Sequence, residues 1–308
     1  MKKTRRSFLS VLVSATGAPS ILSATSCTER LPIAFSTLGC PKWDWRTVLC
    51  RAKEYGFSAI ELRGLQNELD LTKCAEFSKG RLQTTRADLE AAELKVCCLG
   101  SSVRLHEPDG PTRTAHLDEA KRLIELAHSL GAPFVRVFGD QFPPAESQQT
   151  VIDRVAAGLA QIAGFASGSN VTVLIESHGD FCSSPVLHRV LERSRTNKVG
   201  LLWDIHHTVV SGREKPAETF LKLGAYVRHV HLKDSQPQGS TAKYVLTGTG
   251  TVPLQDSVRL LVRSSYAGVY SFEWEKRWHP EIEEPEVAFP HFVRMMKRYL
   301  ATALKEPD

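Results

Sequence analysis

Eight short apolar runs, with helix-like stretches between them, are the feature of this 308-residue chain that most restricts its fold. The runs are L-P-I-A-F-S (31–36), S-A-I-E-L-R (58–63), K-V-C-C-L (95–99), F-V-R-V-F (134–138), V-T-V-L-I-E (171–176), V-G-L-L-W-D (199–204), V-R-H-V-H-L (227–232) and V-Y-S-F-E (269–273). Near-continuous apolar strands of this length are characteristic of parallel sheets covered on both faces. Between them, His116 to Leu130 carries Leu117, Ala120, Leu123, Ile124 and Ala127 on one helical face. Gly56, Gly131 and Gly224 fall just beyond such stretches, where a left-handed C-cap is expected. Residues 65–94 fit one long helix or two short ones, and residues 285–304 supply a last helix. Eight βα units with no Pro/Ser-rich linker between them predict an α/β fold, a single (β/α)8 barrel over residues 28–308.

Four of the later runs carry a carboxylate or an imidazole at or next to their last residue: Glu176, Asp204, His231 and Glu273. The C-terminal ends of barrel strands meet at one mouth, which is where such folds place their active sites. Strand alternation puts Thr172, Leu174 and Glu176 on one face, as it does Leu202 with Asp204, His229 with His231, and Ser271 with Glu273. If those faces point inward, four ligands ring the mouth. Such an oxygen-rich set suits one divalent ion, Mn, Mg, Co or Zn, and is less typical of structural zinc. An ion there would polarise a carbonyl or hydroxyl oxygen and stabilise the enediolate formed when a proton leaves the adjacent carbon. Glu176 and Glu273 could then act as base and acid. Any one of these acids alone reads equally as an N-cap of the next helix or half of a salt bridge. Four at matching strand ends are much harder to obtain by accident.

The first 27 residues read as an export signal. Lys2, Lys3, Arg5 and Arg6 precede a mostly apolar and small run from Phe8 to Ala18, too short for a permanent span. T-R-R-S-F-L (4–9) resembles the twin-arginine signal of proteins exported already folded. A-T-S-C (24–27) is a weak lipoprotein box that makes Cys27 the candidate lipid anchor, the alternative being cleavage nearby and a soluble periplasmic protein. The net charge of +5 owes four of its positives to this segment. Without it, 35 basic residues face 34 acidic ones, which gives no nucleic-acid footprint. Seven cysteines (27, 40, 50, 74, 97, 98 and 182) include no C-x-x-C pair. Adjacent Cys97 and Cys98 should point to opposite faces as free thiols, consistent with folding in a reducing compartment.

V-H-L-K-D (230–234), D-x-x-H at Asp204 to His207, the strand-ending Glu176 and S-F-E-W-E (271–275) together resemble the xylose isomerase-like TIM barrel superfamily, over roughly residues 31–302. That group holds sugar and sugar-phosphate isomerases and epimerases, inosose dehydratases and endonuclease IV nucleases. The resemblance implies metal positions at Glu176, Asp204, His231 and Glu273, a substrate or metal contact at His207, and a glycine turn at L-T-G-T-G (246–250). Ketose 3-epimerases carry a second glutamate and an arginine where this chain has Cys182 and Pro237, which argues against free ketohexoses. The nucleases need an Asp-x-His after strand seven, which residues 240–247 lack.

Other positions support two readings each. Lys233 either reaches an oxyanion or pairs with Asp234. His178 is a candidate substrate contact in the loop after strand five. Arg136 either points into the barrel to bind substrate or pairs with Glu61. His106 is a loop histidine, Trp278 and His279 could wall a sugar pocket, and Trp274 should pack on the last helix. The expected protein is an exported, metal-dependent carbohydrate isomerase or epimerase with Glu176, Glu273 and His207 catalytic. The rivals are a lyase or dehydratase acting on 3-keto-glycosides or polyols by the same first step, and a non-catalytic sugar-binding barrel.

Overall fold

The structure, a computed structural model, describes residues 30–194, 196–239 and 241–305. The expected export signal at 1–27 therefore lies outside the described residues. No helix among them is long and apolar enough to cross a membrane. Eight parallel strands close a barrel: β1 (Ile33–Ser36), β2 (Ala59–Leu62), β3 (Lys95–Arg104), β4 (Phe134–Phe138), β5 (Thr172–Glu176), β6 (Val199–Asp204), β7 (Val227–Leu232) and, after the hairpin β8 (Asp234–Gln238) and β9 (Thr241–Val245), β10 (Tyr270–Phe272). β10 pairs with β1 and β7, which completes the ring.

The helices lie between the strands: α1 (Trp45–Tyr55), α2 (Leu82–Ala91), α3 (Pro111–Leu130), α4 (Gln148–Phe165), α5 (Ser184–Ser194), α6 (Ile205–Val210), α7 (Pro216–Leu223), α8 (Leu254–Arg263) and α9 (Pro285–Lys305). Strand alternation divides the barrel into two environments. Residues such as Phe35, Ile60, Val135, Ile175, Trp203, Leu232 and Phe272 belong to one large core cluster with the helices. A small second cluster, Ala34, Ala59, Cys97, Cys98, Leu174 and Leu202, fills part of the barrel interior. Two positions further along several strands, the inward series turns polar, at Ser36, Glu61, Glu176 and Asp204, all buried. Each fully buried large apolar side chain contributes ~1.5–3 kcal/mol, so the apolar layers hold the barrel and its polar centre is available for chemistry.

Several local expectations need correction. Gly56 and Gly131 do cap α1 and α3 in the left-handed region, at φ 87° and 73°. Gly224 does not: at φ −54° it continues right-handed into the 3-10 turn Gly224–Tyr226. What it supplies is room, since a Cβ there would stand 2.8 Å from the Phe220 ring. Residues 65–94 form two 3-10 turns, Leu71–Lys73 and Ala75–Phe77, and one helix, α2. Cys97 and Cys98 are free and buried, but both join the inner cluster. The register between β2 and β3 shifts at Ile60/Glu61, which breaks the simple alternation expected for them.

The β8–β9 hairpin is an addition with no apolar alternation to announce it. Asp234 anchors the turn that follows: Oδ2 accepts from the amides of Gly248 (2.8 Å) and Gly250 (2.9 Å), and Oδ1 accepts from Ser235 (2.9 Å) and Val252 (3.2 Å). A Cβ on Gly250 would lie 2.1 Å from Asp234 Oδ1 and 2.4 Å from the Ser235 carbonyl. Gly250→Ala is therefore expected to cost about 1–3 kcal/mol of stability by overpacking. Urea unfolding reads this directly, and an unchanged midpoint would show that the Asp234 clamp does not constrain the turn.

Candidate active site

Glu176 ends β5, Asp204 ends β6, His231 lies near the end of β7 and Glu273 follows β10, so parallel pairing brings all four to the C-terminal mouth. One ligand atom from each lies within 4.8 Å of the others, and all four residues are buried. His231 Nδ1 stands 3.5 Å from Glu176 Oε1, 3.7 Å from Asp204 Oδ2 and 3.3 Å from Glu273 Oε2. Glu176 Oε2, Asp204 Oδ2 and His231 Nδ1 are buried and make no aligned hydrogen bond, although Arg136 Nε stands 2.9 Å from Glu176 Oε2 and Lys233 Nζ 2.8 Å from Asp204 Oδ2. Three carboxylates and an imidazole nitrogen gathered this closely fit a divalent cation.

Asp204 answers to both readings of a strand-end acid. Its Oδ1 accepts from the His207 amide at 3.0 Å as the N-cap of α6, while Oδ2 faces the cluster. Burial would raise its carboxyl, but the neighbouring His207, Lys233 and His231 outweigh burial and hold it well below the usual range.

Beneath the cluster sits a residue the sequence had offered only as a partner for Arg136. Glu61 accepts from His229 Nε2 at 2.8 Å, from His231 Nε2 at 2.9 Å and from the Ser271 hydroxyl at 2.9 Å. Burial would raise its carboxyl, yet the two imidazoles outweigh that and lower it. Because a carboxylate can only accept here, the His231 proton belongs on Nε2, which leaves Nδ1 aimed at the three ligand carboxylates. Burial disfavours a second proton on His231, but Glu273 and Glu61 outweigh it and push the ring well up. A bound cation would compete with that proton.

Above the cluster opens a cavity of about 280 Å³, lined in part by Arg63, Arg136, Glu176, His178, His207 and Glu273. Lys233 does not pair with Asp234. Alternation from His231 turns it inward, where Nζ lies 2.8 Å from Asp204 Oδ2, 2.5 Å from Glu273 Oε2, 2.7 Å from Glu275 Oε1 and 3.3 Å from His207 Nε2. Burial would lower its pKa, but the three carboxylates outweigh burial and raise it. Arg136 does not pair with Glu61 either. Its Nε lies 2.9 Å from Glu176 Oε2, without the alignment of a hydrogen bond, and Nη1 donates to the Ser101 carbonyl at 2.8 Å.

His178 reaches the cavity with its ring 4.9 Å from that of His207, and its Nδ1 lies 3.6 Å from Asp140. Burial would lower His178, but Asp140 and Glu176 outweigh it and raise it. Burial pushes His207 well down, so that ring is neutral. Trp278, His279 and Tyr244 also line the cavity. His106 does not: it is buried against the Gly139 carbonyl at 3.1 Å. Trp274 is fully buried, stacked on Phe272 and bonded to the Glu283 carbonyl. Glu61, Glu275 and Arg63 were not among the expected site residues, although Glu61 and Arg63 share the inward parity of β2 and Glu275 that of Glu273.

A larger depression lies at the opposite end of the barrel, but Arg30 there is already paired with Glu93 at 2.9 Å.

Residues 49–299 match the model of the xylose isomerase-like TIM barrel family, and the chain belongs to that family. An inosose dehydratase of Clostridium botulinum (strain Alaska E43) is 27% identical over 184 residues, 54% of this chain and 58% of that protein. The chain spans about half the length of the curated relatives it matches. Among solved structures, the 3-keto-D-glucoside 4-epimerase YcjR of E. coli superposes with a TM-score of 0.68 at 16% identity, covering 90% of this chain and 100% of that one. The IOLI protein with a bound zinc atom superposes with a TM-score of 0.71 at 15% identity, covering 88% and 97%. At these identities the superpositions establish the fold.

Proposed function

We propose that this member of the xylose isomerase-like TIM barrel family is a divalent-metal-dependent carbohydrate isomerase or epimerase that removes a proton from the carbon beside a carbonyl. One observation carries the reading: Glu176, Asp204, His231 and Glu273 converge at the barrel mouth, all buried, with one ligand atom of each within 4.8 Å of the others. Three carboxylates gathered in a buried space repel one another, and a cation held by the four would offset that charge. Such an ion supplies Lewis-acid polarisation of a substrate oxygen. The zinc atom of the IOLI protein fits this reading.

The chain's own side chains supply the rest of the chemistry. Glu176 and Glu273 share proton transfer at the reacting carbon. Arg136, alongside Glu176, fixes the direction of that carboxylate. Lys233 remains an ammonium at neutral pH, holds Glu273 in place and sets a positive charge beside the developing oxyanion. Neutral His207 orients substrate hydroxyls, and His178 contacts the substrate from the β5 side. Keto sugars and 3-keto-glycosides are the candidate substrates, in keeping with the epimerase named above. The reading of residues 1–27 as a twin-arginine export signal, with a periplasmic or envelope location and a lipid on Cys27 as its variant, favours glycosides over sugar phosphates.

The second reading is a lyase or dehydratase that expels a β-substituent after the same deprotonation. It draws on His178, raised by Asp140 and Glu176, as the candidate proton donor to a leaving oxygen, with neutral His207 beside it in the cavity. The inosose dehydratases are consistent with it. The full chain with Mn²⁺, incubated in deuterium oxide with 3-keto-glucosides and ketoses, separates the outcomes. Deuterium beside the carbonyl with unchanged composition is expected for the first reading, and an ultraviolet-absorbing unsaturated ketone for the second. No exchange with any candidate, together with sugar binding that survives chelation, would overturn both in favour of a non-catalytic sugar-binding barrel.

A further inference from the structure

We infer that the mouth cavity selects a carbohydrate bearing one negatively charged oxyanion group, received by the Arg63 guanidinium with Arg136 beside it. This names the substrate class of the site proposed above and rests on that reading. Arg63 follows β2 two residues after Glu61, so it continues the inward series of that strand, and it is 7% exposed. A guanidinium carries five N–H donors. Here Nη2 donates to the Ser102 hydroxyl at 3.1 Å, and Nη1 is buried without a partner.

The other cations at this mouth are occupied. Lys233 contacts three carboxylates, Arg136 lies along Glu176, and Arg104 is 3.4 Å from Asp140. Arg63 has no carboxylate in ion-pair contact among the described residues, although it lines the same cavity as Glu176 and Glu273. Burying an unpaired cation is costly, and the cost is relieved when a ligand brings the missing charge.

The backbone opposite is shaped for the same arrangement. Gly100 on β3 faces both arginines: a Cβ there would stand 2.6 Å from Arg63 Cδ and 2.9 Å from Arg136 Nη2. A glycine at this point leaves room for the two side chains next to each other; Glu176 already offsets the charge of Arg136, and Arg63 has no such counter-ion in contact among the described residues. Burial and the neighbouring Arg136 lower Arg63 to about 10, so it stays charged at neutral pH. A cavity of about 280 Å³ suits a single sugar ring with its acid group. Carboxylate and phosphate share the chemistry that a guanidinium recognises.

The test is calorimetric titration of the full chain with D-glucuronate, D-glucose 6-phosphate and D-glucose. At least one anionic probe is expected to bind about tenfold or more tightly than glucose, the difference a charged hydrogen-bonded contact makes. The preference should fall to within about twofold in Arg63→Gln and should shrink in wild type as sodium chloride is raised. Which anion prevails identifies carboxylate or phosphate. Equal affinity for glucose, no binding of either anion, or a preference that survives substitution would overturn the inference. If Arg63→Gln does not fold, the salt series on the wild type decides: an anion preference that does not weaken overturns it. Binding needs no turnover, so anion selectivity in a catalytically silent protein would sink only the isomerase reading. Turnover of neutral sugars alone would sink only this one.

Discussion

Glu273→Gln is expected to lower turnover about 1,000-fold, within the range for loss of a positioned acid or base, and to strip the protein of its divalent ion. The geometry makes this the most damaging single-atom change in the mouth. Glu273 Oε2 is 3.3 Å from His231 Nδ1 and 2.5 Å from Lys233 Nζ. An amide nitrogen in that place would face an ammonium and an imidazole with a donor, and the cluster would lose one of the charges that attract a cation. The bias toward the ionised form is already strong, since His231 and Lys233 outweigh burial and hold the carboxyl well below its usual range. Glu275→Gln serves as the control. Glu275 also touches Lys233, at 2.7 Å, but it is not one of the four convergent ligands, and burial and Glu273 push its carboxyl up. Its loss should leave the metal bound and cost about 10- to 100-fold, the scale for a residue acting only through a neighbour. Elemental analysis and steady-state rates on both variants give the result. Wild-type metal content and rate in Glu273→Gln would remove it from the site.

What the sequence disclosed, and what it withheld, follows from the range of the interactions. The strands β4, β6 and β7 could be read to the residue because apolar runs bounded by polar residues are a local signal. The barrel followed from counting them. Asp204 was ambiguous as a single acid, and its two oxygens explain why: one caps α6 and the other faces the cluster. Lys233 and Asp234 looked like an adjacent ion pair, but a strand sends neighbours to opposite sides. Lysine therefore enters the barrel, and aspartate ties down the turn at Gly248 and Gly250. The β8–β9 hairpin escaped because D-S-Q-P-Q carries no apolar alternation. Glu61 was hidden for a different reason. Its inward parity is legible in S-A-I-E-L-R, but its partners, His229, His231 and Ser271, are 168 to 210 positions away. Only closure of the ring brings β2 opposite β7 and β10. Arg63 shares that difficulty, since a missing partner is visible only when the surroundings are known.

Glu61→Gln should weaken metal binding by about 10- to 100-fold, the usual scale for a partner that orients a histidine ligand, while leaving all four ligands in place. The wild-type carboxylate accepts from both imidazoles and from Ser271, so each imidazole presents Nε2–H to it, and Nδ1 of His231 becomes the acceptor once a cation displaces the second proton. A glutamine offers one acceptor oxygen, and its NH2 group must point at a former donor. To avoid that clash, either the Ser271 hydroxyl turns to accept or one imidazole moves its proton to the other nitrogen. If His231 is the one that changes, the proton lands on Nδ1, the atom 3.3 Å from Glu273 and 3.5 Å from Glu176. The lone pair aimed at the cluster is then gone. A Mn²⁺ titration measures the affinity, and nitrogen-15 NMR of the histidine rings reports which tautomer each adopts. Reduced affinity with an altered His231 tautomer is the expected pair of results. If affinity and tautomer are both unchanged, Glu61 is a structural anion within the barrel, and the orientation of His231 must come from its strand and its packing alone.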